Sequence, residues 1–186
     1  MAAAVGLPLE LRTVRQQLHG VRDSKQMSPQ ARMAWEPCIR QLAWGCAVGE
    51  ASVEEIDALG IVPATRLAML RAVQRLTRAP DGLLIDYLRL PELPLPQVAL
   101  TFGDQRSLSI AAASVVAKVH RDLRMIALDQ SHPGYGLAEN KGYGTAAHRS
   151  GLTLQGPSVL HRRSFAPIAR CLVAAPLEPA CPNAPP

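Results

Sequence analysis

Two aspartates close short apolar runs in the middle of the chain. Asp86 ends Gly82-Leu-Leu-Ile-Asp86-Tyr87, and Asp104 ends Val98-Ala-Leu-Thr-Phe102-Gly103-Asp104. Runs of this length and composition read as buried strands, each delivering a carboxylate at its C-terminal end. Open sheets place ligand sites beyond those ends. A third aspartate, Asp122, follows a run of small and apolar residues from Ser107 that is too long for one strand and reads as helix. Ser114, Lys118 and Asp122 fall four apart on it and share a face. Carboxylates converging from two strands and a helix can hold a divalent cation. Each also has a plainer use. An aspartate after a strand serves as a turn or cap residue, and Lys118 and Asp122 can simply pair on the surface.

A second set of residues is cationic or aromatic. Lys25 lies in the polar loop His19-Gly-Val-Arg-Asp23-Ser-Lys25, and Asn140-Lys141-Gly142-Tyr143-Gly144-Thr145 is a glycine-rich loop with one cation and one ring. The latter suits contact with phosphate and sugar, although such triplets also make ordinary turns. His161-Arg-Arg-Ser-Phe165 concentrates positive charge before a last apolar segment, Ile168 to Ala175. Of the twenty basic residues only three are lysine, and the formal charge is +5. Arginine suits bidentate phosphate contacts, so an anionic partner fits the composition.

The elements that must position these groups follow from local signals. Residues 1–8 read as the tail of a strand. Ser28-Pro29 opens a helix through Ala31, Trp35 and Ile39, with a kink or break expected at Pro37. Leu42 to Gly49 reads as a strand, and Ser52 with Glu55 forms a capping-box pattern for a short helix. Pro63 to Leu76 is an amphipathic helix packed through Leu67, Leu70 and Val73. Its four arginines, Arg66, Arg71, Arg75 and Arg78, form a solvated face or meet a nucleic acid. The three prolines between Leu88 and Gln97 make a loop or edge segment. The helix over 107–129 comes next, then a turn at His132–Gly136 and a short helix over 146–150 capped by Thr145.

The chain has 186 residues and 48% apolar content, which suits one domain over 1–175 followed by a disordered proline-rich tail over 176–186. Cys38, Cys46, Cys171 and Cys181 show no metal-ligand spacing and read as reduced thiols. No signal peptide or membrane span is visible, so a cytoplasmic protein is expected.

Taken in order, these motifs resemble the ribonuclease HII family. The resemblance rests on Asp23-Ser-Lys-Gln-Met-Ser, Glu54-Glu-Ile-Asp57, Ala64-Thr-Arg-Leu-Ala-Met69, Leu84-Ile-Asp86 and Gly103-Asp104. It continues through Ser109-Ile-Ala-Ala-Ala-Ser-Val-Val-Ala-Lys-Val, Arg121-Asp122, Lys141-Gly-Tyr143-Gly-Thr and His161-Arg-Arg-Ser-Phe165. It implies an α/β fold with a ribonuclease H-like mixed sheet flanked by helices. The implied activity cuts the RNA strand of RNA–DNA hybrids and nicks 5′ to single ribonucleotides in duplex DNA, a task of replication and repair. The implied cofactor is Mn²⁺ or Mg²⁺ held by four carboxylates, and the protein is expected to act as a monomer. By resemblance Asp86 and Asp104 are the third and fourth of these, and Asp122 an acidic position with a lesser catalytic role. Lys25 and Lys141 resemble substrate-facing lysines, and Tyr143 the ring that packs on deoxyribose at an RNA-to-DNA junction.

The departures from the family pattern bear on activity. The family opens on a strand carrying Asp-Glu-x-Gly-Arg-Gly, with the first two carboxylates, whereas this sequence begins at Met1-Ala-Ala-Ala-Val5. The first strand is therefore expected to be largely missing, through a misplaced start or a truncated gene, and its neighbours to show unpaired backbone. Tyr87 stands where the family has glycine, and Phe102 where it has lysine. The alternative expectation is a catalytically inactive, nucleic-acid-binding or vestigial fragment.

Overall fold

The computed structural model describes residues 1–174, so the expected tail lies outside the described residues. The elements are β1 (Ala2–Gly6), α1 (Leu11–Gln17), a 3₁₀ turn (Ser24–Gln26), α2 (Pro29–Leu42), β2 (Gly45–Gly49), α3 (Val53–Leu59) and α4 (Ile61–Gln74). Then follow β3 (Leu83–Asp86), β4 (Gln97–Leu100), α5 (Gly103–Arg106), α6 (Leu108–Ser131), α7 (Leu137–Asn140), α8 (Ala146–Gln155) and α9 (Ala166–Ala174). The expected mixed α/β class is the one observed.

Among the described residues the strands form two separate ladders. β1 pairs antiparallel with β2, Ala3 opposite Val48 and Val5 opposite Cys46, and β3 pairs parallel with β4, Asp86 opposite Leu100. β1 and β3 are not bonded to each other, so each keeps one edge without a strand partner. A cleft of about 760 Å³ runs between those edges.

Helices cover both faces of the first ladder. On one side Ala3, Val5, Cys46 and Val48 pack on a core of Val14, Leu18, Val21, Met27, Ile39, Ala111, Ala112, Val115, Val116 and Val119. On the other side α4 lies close, because Gly49 has no side chain; a Cβ there would sit 2.1 Å from the Ala68 carbonyl oxygen. This close approach explains a correction to the sequence reading. The buried stripe of α4 is Ala64, Ala68 and Ala72, not Leu67, Leu70 and Val73. Leucine-sized side chains would hold the helix off the strand.

Most local signals are realised. Ser28 caps α2 by accepting from the Ala31 amide at 3.1 Å, and Ser52 with Glu55 forms the reciprocal capping box. Thr145 caps α8, which extends to Gln155 rather than 150. Helix α2 continues across Pro37, where a kink or break is expected from sequence, and as far as Leu42, so β2 starts only at Gly45. Tertiary contacts on either side of the proline hold it in place: Arg32 before it and Ile39 after it are both buried. Helix α1 has no strong sequence signal and forms because Val14 and Leu18 enter the core. The 107–129 segment is helical, but Ser107 separates the short α5 from α6.

Of Arg66, Arg71, Arg75 and Arg78, two have structural tasks. Arg71 forms a bidentate pair with Glu55 at 2.6 and 2.7 Å, and Arg75 donates to the Val48 carbonyl at 2.8 Å. The loop between β3 and β4 is stapled by Gln97, whose amide bonds the backbone of Leu90 and Leu93. That staple seats Leu90 in the interior and sets the parallel pairing. Cys38, Cys46 and Cys171 are free thiols.

Candidate active site

Asp86 closes β3 as expected, whereas Asp104 does not end a strand but sits in the first turn of α5, because β4 stops at Leu100. Parallel pairing carries Asp86 level with Leu100, and the chain then turns through Phe102 into α5. The Gly103 amide donates to Asp86 Oδ1 at 2.9 Å, which joins the residue preceding Asp104 directly to Asp86. The turn is close at Gly103, where a Cβ would lie 3.2 Å from that oxygen and 2.7 Å from Ile110 Cδ1, so a larger residue would have to displace the isoleucine methyl. Asp86 is half-buried and Asp104 is buried.

Asp104 has two further neighbours. Lys25 Nζ stands 3.7 Å from its Oδ2, with the lysine side chain 80% exposed. Asp23, also buried, stands close enough for its charge to act on the Asp104 carboxyl. Burial raises the Asp104 pKa, and the charges of Asp23 and Asp86 raise it further against the opposing pull of Lys25. Burial pushes Asp23 the same way, but donation from the Lys25 amide at 2.9 Å and the Gln105 side chain at 3.2 Å pulls it below the usual range. Asp23 therefore serves as an anchor for the 3₁₀ turn and holds Lys25 in front of Asp104. A polar cavity of about 290 Å³ opens beside Asp23, Gln26, Asp104 and Gln105.

Asp122 is engaged elsewhere. Its two oxygens accept from Lys118 Nζ at 2.6 Å and from the Arg32 guanidinium at 3.2 Å. Arg32 is buried on α2 and also donates to the carbonyls of Ser24 and Met27 at 2.8 and 2.6 Å. It ties the turn that carries Lys25 to the middle of α6. Ser24 adds a 2.7 Å hydroxyl contact to Ser114. Ser114, Lys118 and Asp122 thus share a face as their spacing predicts, and the plainer pairing of Lys118 with Asp122 is the one realised.

Lys118 leads to the glycine-rich loop. Its Nζ lies 5.6 Å from the centre of the Tyr143 ring, and Arg121 Cζ lies 4.9 Å from it. Cations over the ring face are attracted by its quadrupole. Tyr143 is 59% exposed, so this cage leaves it open to a ligand. Lys141 caps α7 in a left-handed conformation at φ 51°, its ammonium bonded to the Ala138 carbonyl and its own carbonyl held by Arg121 at 2.8 Å.

The structure therefore gathers Asp86, Asp104 and Lys25 in one group, and Lys118, Arg121, Lys141, Tyr143 and Asp122 in a second. Sequence reasoning misses Asp23, Gln105 and Arg32. Asp23 stands in a family-like motif, but its role depends on Gln105, eighty-two positions away. Arg32 looks like one more exposed helical arginine until the fold brings Asp122 to it.

The donor set does not suit a pair of Mn²⁺ or Mg²⁺ ions. Among the described residues no three His, Cys, Asp or Glu side chains are grouped to hold one ion. Magnesium takes near-octahedral oxygen coordination, and two-metal sites stand ions about 4 Å apart. Asp86 and Asp104, with one oxygen of Asp86 already accepting an amide, do not meet that requirement.

Comparison with known proteins closes the question of kinship. The sequence profile of the family described as Ribonuclease HII matches residues 1–168. Ribonuclease HII of Herpetosiphon aurantiacus is 51% identical over 169 residues, covering 91% of this chain and 82% of that one. Ribonuclease HII of Thermus thermophilus is 46% identical over 158 residues, covering 85% and 77%. Among solved structures, the crystal structure of the ribonuclease H2 from Pyrococcus horikoshii OT3 matches with TM-score 0.72. At 18% identity, over 91% of this chain and 92% of that one, it shows a shared ribonuclease H2 fold. The chain belongs to the ribonuclease HII family.

Proposed function

We propose that this polypeptide binds a duplex containing RNA joined to DNA, and that by itself it binds without cutting. The observation that carries the reading is the exposed Tyr143 ring flanked by the cations of Lys118 and Arg121, in a chain of this family. Lys25, Lys141, Lys118 and Arg121 supply cations for phosphate, and Tyr143 offers a face for sugar or base. The ligand is an RNA–DNA hybrid or duplex DNA with an embedded ribonucleotide, and residues 1–175 act as one monomeric domain. No helix among the described residues is long and apolar enough to cross a membrane.

The absence of cleavage follows from the donor set. Two carboxylates offer too few hard oxygens for two cations, so no metal-assisted step is assigned to this chain. Lys25 neutralises part of the charge on Asp104 and points the cation toward solvent, where a phosphate can reach it.

A second reading, a Mn²⁺- or Mg²⁺-dependent endonuclease, is favoured by one feature, the bond that joins Asp86 to the Gly103–Asp104 turn. Under it Asp86 and Asp104 are metal ligands and Asp122, through Lys118 and Arg32, positions the substrate-facing loop.

Binding is tested by fluorescence anisotropy with a labelled duplex carrying one ribonucleotide, across a salt series. The logarithm of affinity should fall linearly with the logarithm of salt concentration. Tyr143→Ala should weaken binding by about 1–3 kcal/mol, roughly tenfold or more, if the ring stacks on the ligand. Salt-independent binding, or an unchanged Tyr143→Ala variant, would remove the proposed interface.

A further inference from the structure

We infer that Asn140 and His148 are positioning residues for the duplex-binding surface: both donate to one buried carbonyl, and together they fix the backbone on either side of Tyr143. Their purpose rests on the binding reading above, and their mechanics on geometry alone. The shared acceptor is the Tyr135 carbonyl, reached by Asn140 Nδ2 at 2.7 Å and by His148 Nδ1 at 3.0 Å. Tyr135, Asn140 and His148 are all buried, while Tyr143, between the last two in sequence, is exposed.

Chemistry fixes how both side chains are turned. A carbonyl only accepts, so the Asn140 amide nitrogen faces Tyr135, and its oxygen is left to accept from the Gly142 amide at 2.8 Å. For the same reason His148 carries a proton on Nδ1. Aspartate at 140 could receive the Gly142 amide but would set an anion against the Tyr135 oxygen. Leucine would fill the space and serve neither partner.

From these two anchors the bonds run inward to Tyr143. Its amide donates to the Asn140 carbonyl at 2.9 Å, and its carbonyl accepts from the Thr145 amide at 2.8 Å. Thr145 Oγ1 in turn accepts from the His148 amide at 3.2 Å. Between the anchors Lys141 and Gly142 both take left-handed backbone, at φ 51° and 77°. A non-glycine residue in that region persists only where its surroundings over-determine it. Here the Gly142 bond to Asn140 and the Arg121 bond to the Lys141 carbonyl at 2.8 Å supply the restraint.

The far side of this knot is closed by a second histidine. The His161 ring stacks on His148 with centres 5.4 Å apart and lies 4.9 Å from the Tyr135 ring. His161 Nδ1 accepts from the Ser158 amide at 3.1 Å, so it bears no proton there. Helix α8 sits tightly on the same turn, since a Cβ on Gly151 would stand 2.3 Å from the Gly134 carbonyl oxygen. An apolar pair would fill the same volume without burying polar groups. Two buried side chains that must donate in fixed directions instead specify one loop geometry. The ring they aim stands beside Lys118 and Arg121 at the surface.

The test uses the full chain. In the unliganded protein the Tyr143 ring should shift the side-chain proton resonances of Lys118 and Arg121 relative to those of Tyr143→Ala. His148→Ala and Asn140→Asp should each lose those shifts, while His148→Asn, whose amide nitrogen can stand where Nδ1 stands, should keep them. With the labelled ribonucleotide duplex, His148→Ala should bind about tenfold more weakly, like Tyr143→Ala. The double variant should bind no more weakly than Tyr143→Ala alone. Retained shifts in both His148→Ala and Asn140→Asp, a His148→Asn that behaves like His148→Ala, or additive losses of affinity would each overturn the inference. If the variants fail to fold, the imidazole nitrogen resonances of the unaltered chain in mildly alkaline solution decide. A proton on Nδ1 of His148 is expected, and a proton on Nε2 alone overturns it. If the unaltered chain does not bind the duplex, the binding reading fails, and the shifts in the unliganded protein still decide the positioning.

Discussion

At the scale of single residues, the site combines strain with unfavourable charge. Tyr87 and Phe102 both adopt left-handed backbone, at φ 63° and 54°, and their rings are 72% and 67% exposed. A side chain in that region costs about 1–2 kcal/mol per residue, and neither ring recovers it through burial. Tyr87→Gly should therefore raise stability by about 0.5–1 kcal/mol after allowing for the greater freedom of the unfolded glycine chain. Denaturant titration with an unchanged slope would show it, and a destabilised variant would mean that the ring packs on something.

Asp104 gives the complementary case. Its pKa is raised in the folded state, first by burial and then by the charges of Asp23 and Asp86. The folded chain thus binds that proton more tightly than the unfolded chain, and ionisation works against folding. The penalty is absent below the unfolded carboxylate pKa, grows as pH rises to the folded value, and persists at neutral pH. Asp104→Asn should melt a few degrees higher than the parent at neutral pH, with the difference vanishing in acid. Melting curves at the two pH values check the sign. The asparagine would no longer pair with the Lys25 ammonium, but that exposed ion pair contributes little to stability.

At the scale of elements, Arg32 is the joint of the molecule. Its guanidinium serves the carbonyls of Ser24 and Met27 and one oxygen of Asp122, and so links the 3₁₀ turn, α2 and α6. Removing it leaves two carbonyls and a mostly buried carboxylate with fewer partners. Arg32→Met should cost about 3–5 kcal/mol, and Arg32→Met with Asp122→Asn should recover part of that loss in a double-mutant cycle. Additive losses would mean that the pair does not interact.

This joint is not legible in the sequence, because nothing near Arg32 announces a partner ninety residues away. What is legible is local. Caps at Ser28, Ser52 and Thr145 depend on neighbours three residues on, and strands ending at Asp86 and near Asp104 depend on apolar runs. The alanine stripe of α4 is hidden because hydrophobic patterning favours leucine, whereas the decisive fact is the side-chain-free Gly49 opposite. The spacing of Lys118 and Asp122 allows their pairing to be read directly, but the second partner of Asp122 is invisible.

At the scale of the whole molecule, the α/β class and the order of elements can be read from the chain, and membership of the ribonuclease HII family follows from its motifs. Among the described residues the strands separate into two ladders, β1 with β2 and β3 with β4. The same division limits what the carboxylate pair can do. Asp86 and Asp104 stand on β3 and the turn after β4, and among the described residues no third acidic ligand is grouped with them to hold an ion.

The most direct test is a cleavage assay on the full chain. A 5′-labelled duplex with one embedded ribonucleotide is incubated at saturating protein with Mn²⁺ or Mg²⁺ and resolved on a denaturing gel, with binding confirmed on the same sample. The predicted result is a bound, intact strand at every metal concentration. A metal-dependent nick on the 5′ side of the ribonucleotide, leaving a 3′-hydroxyl, would contradict the account and show that Asp86 and Asp104 suffice for catalysis.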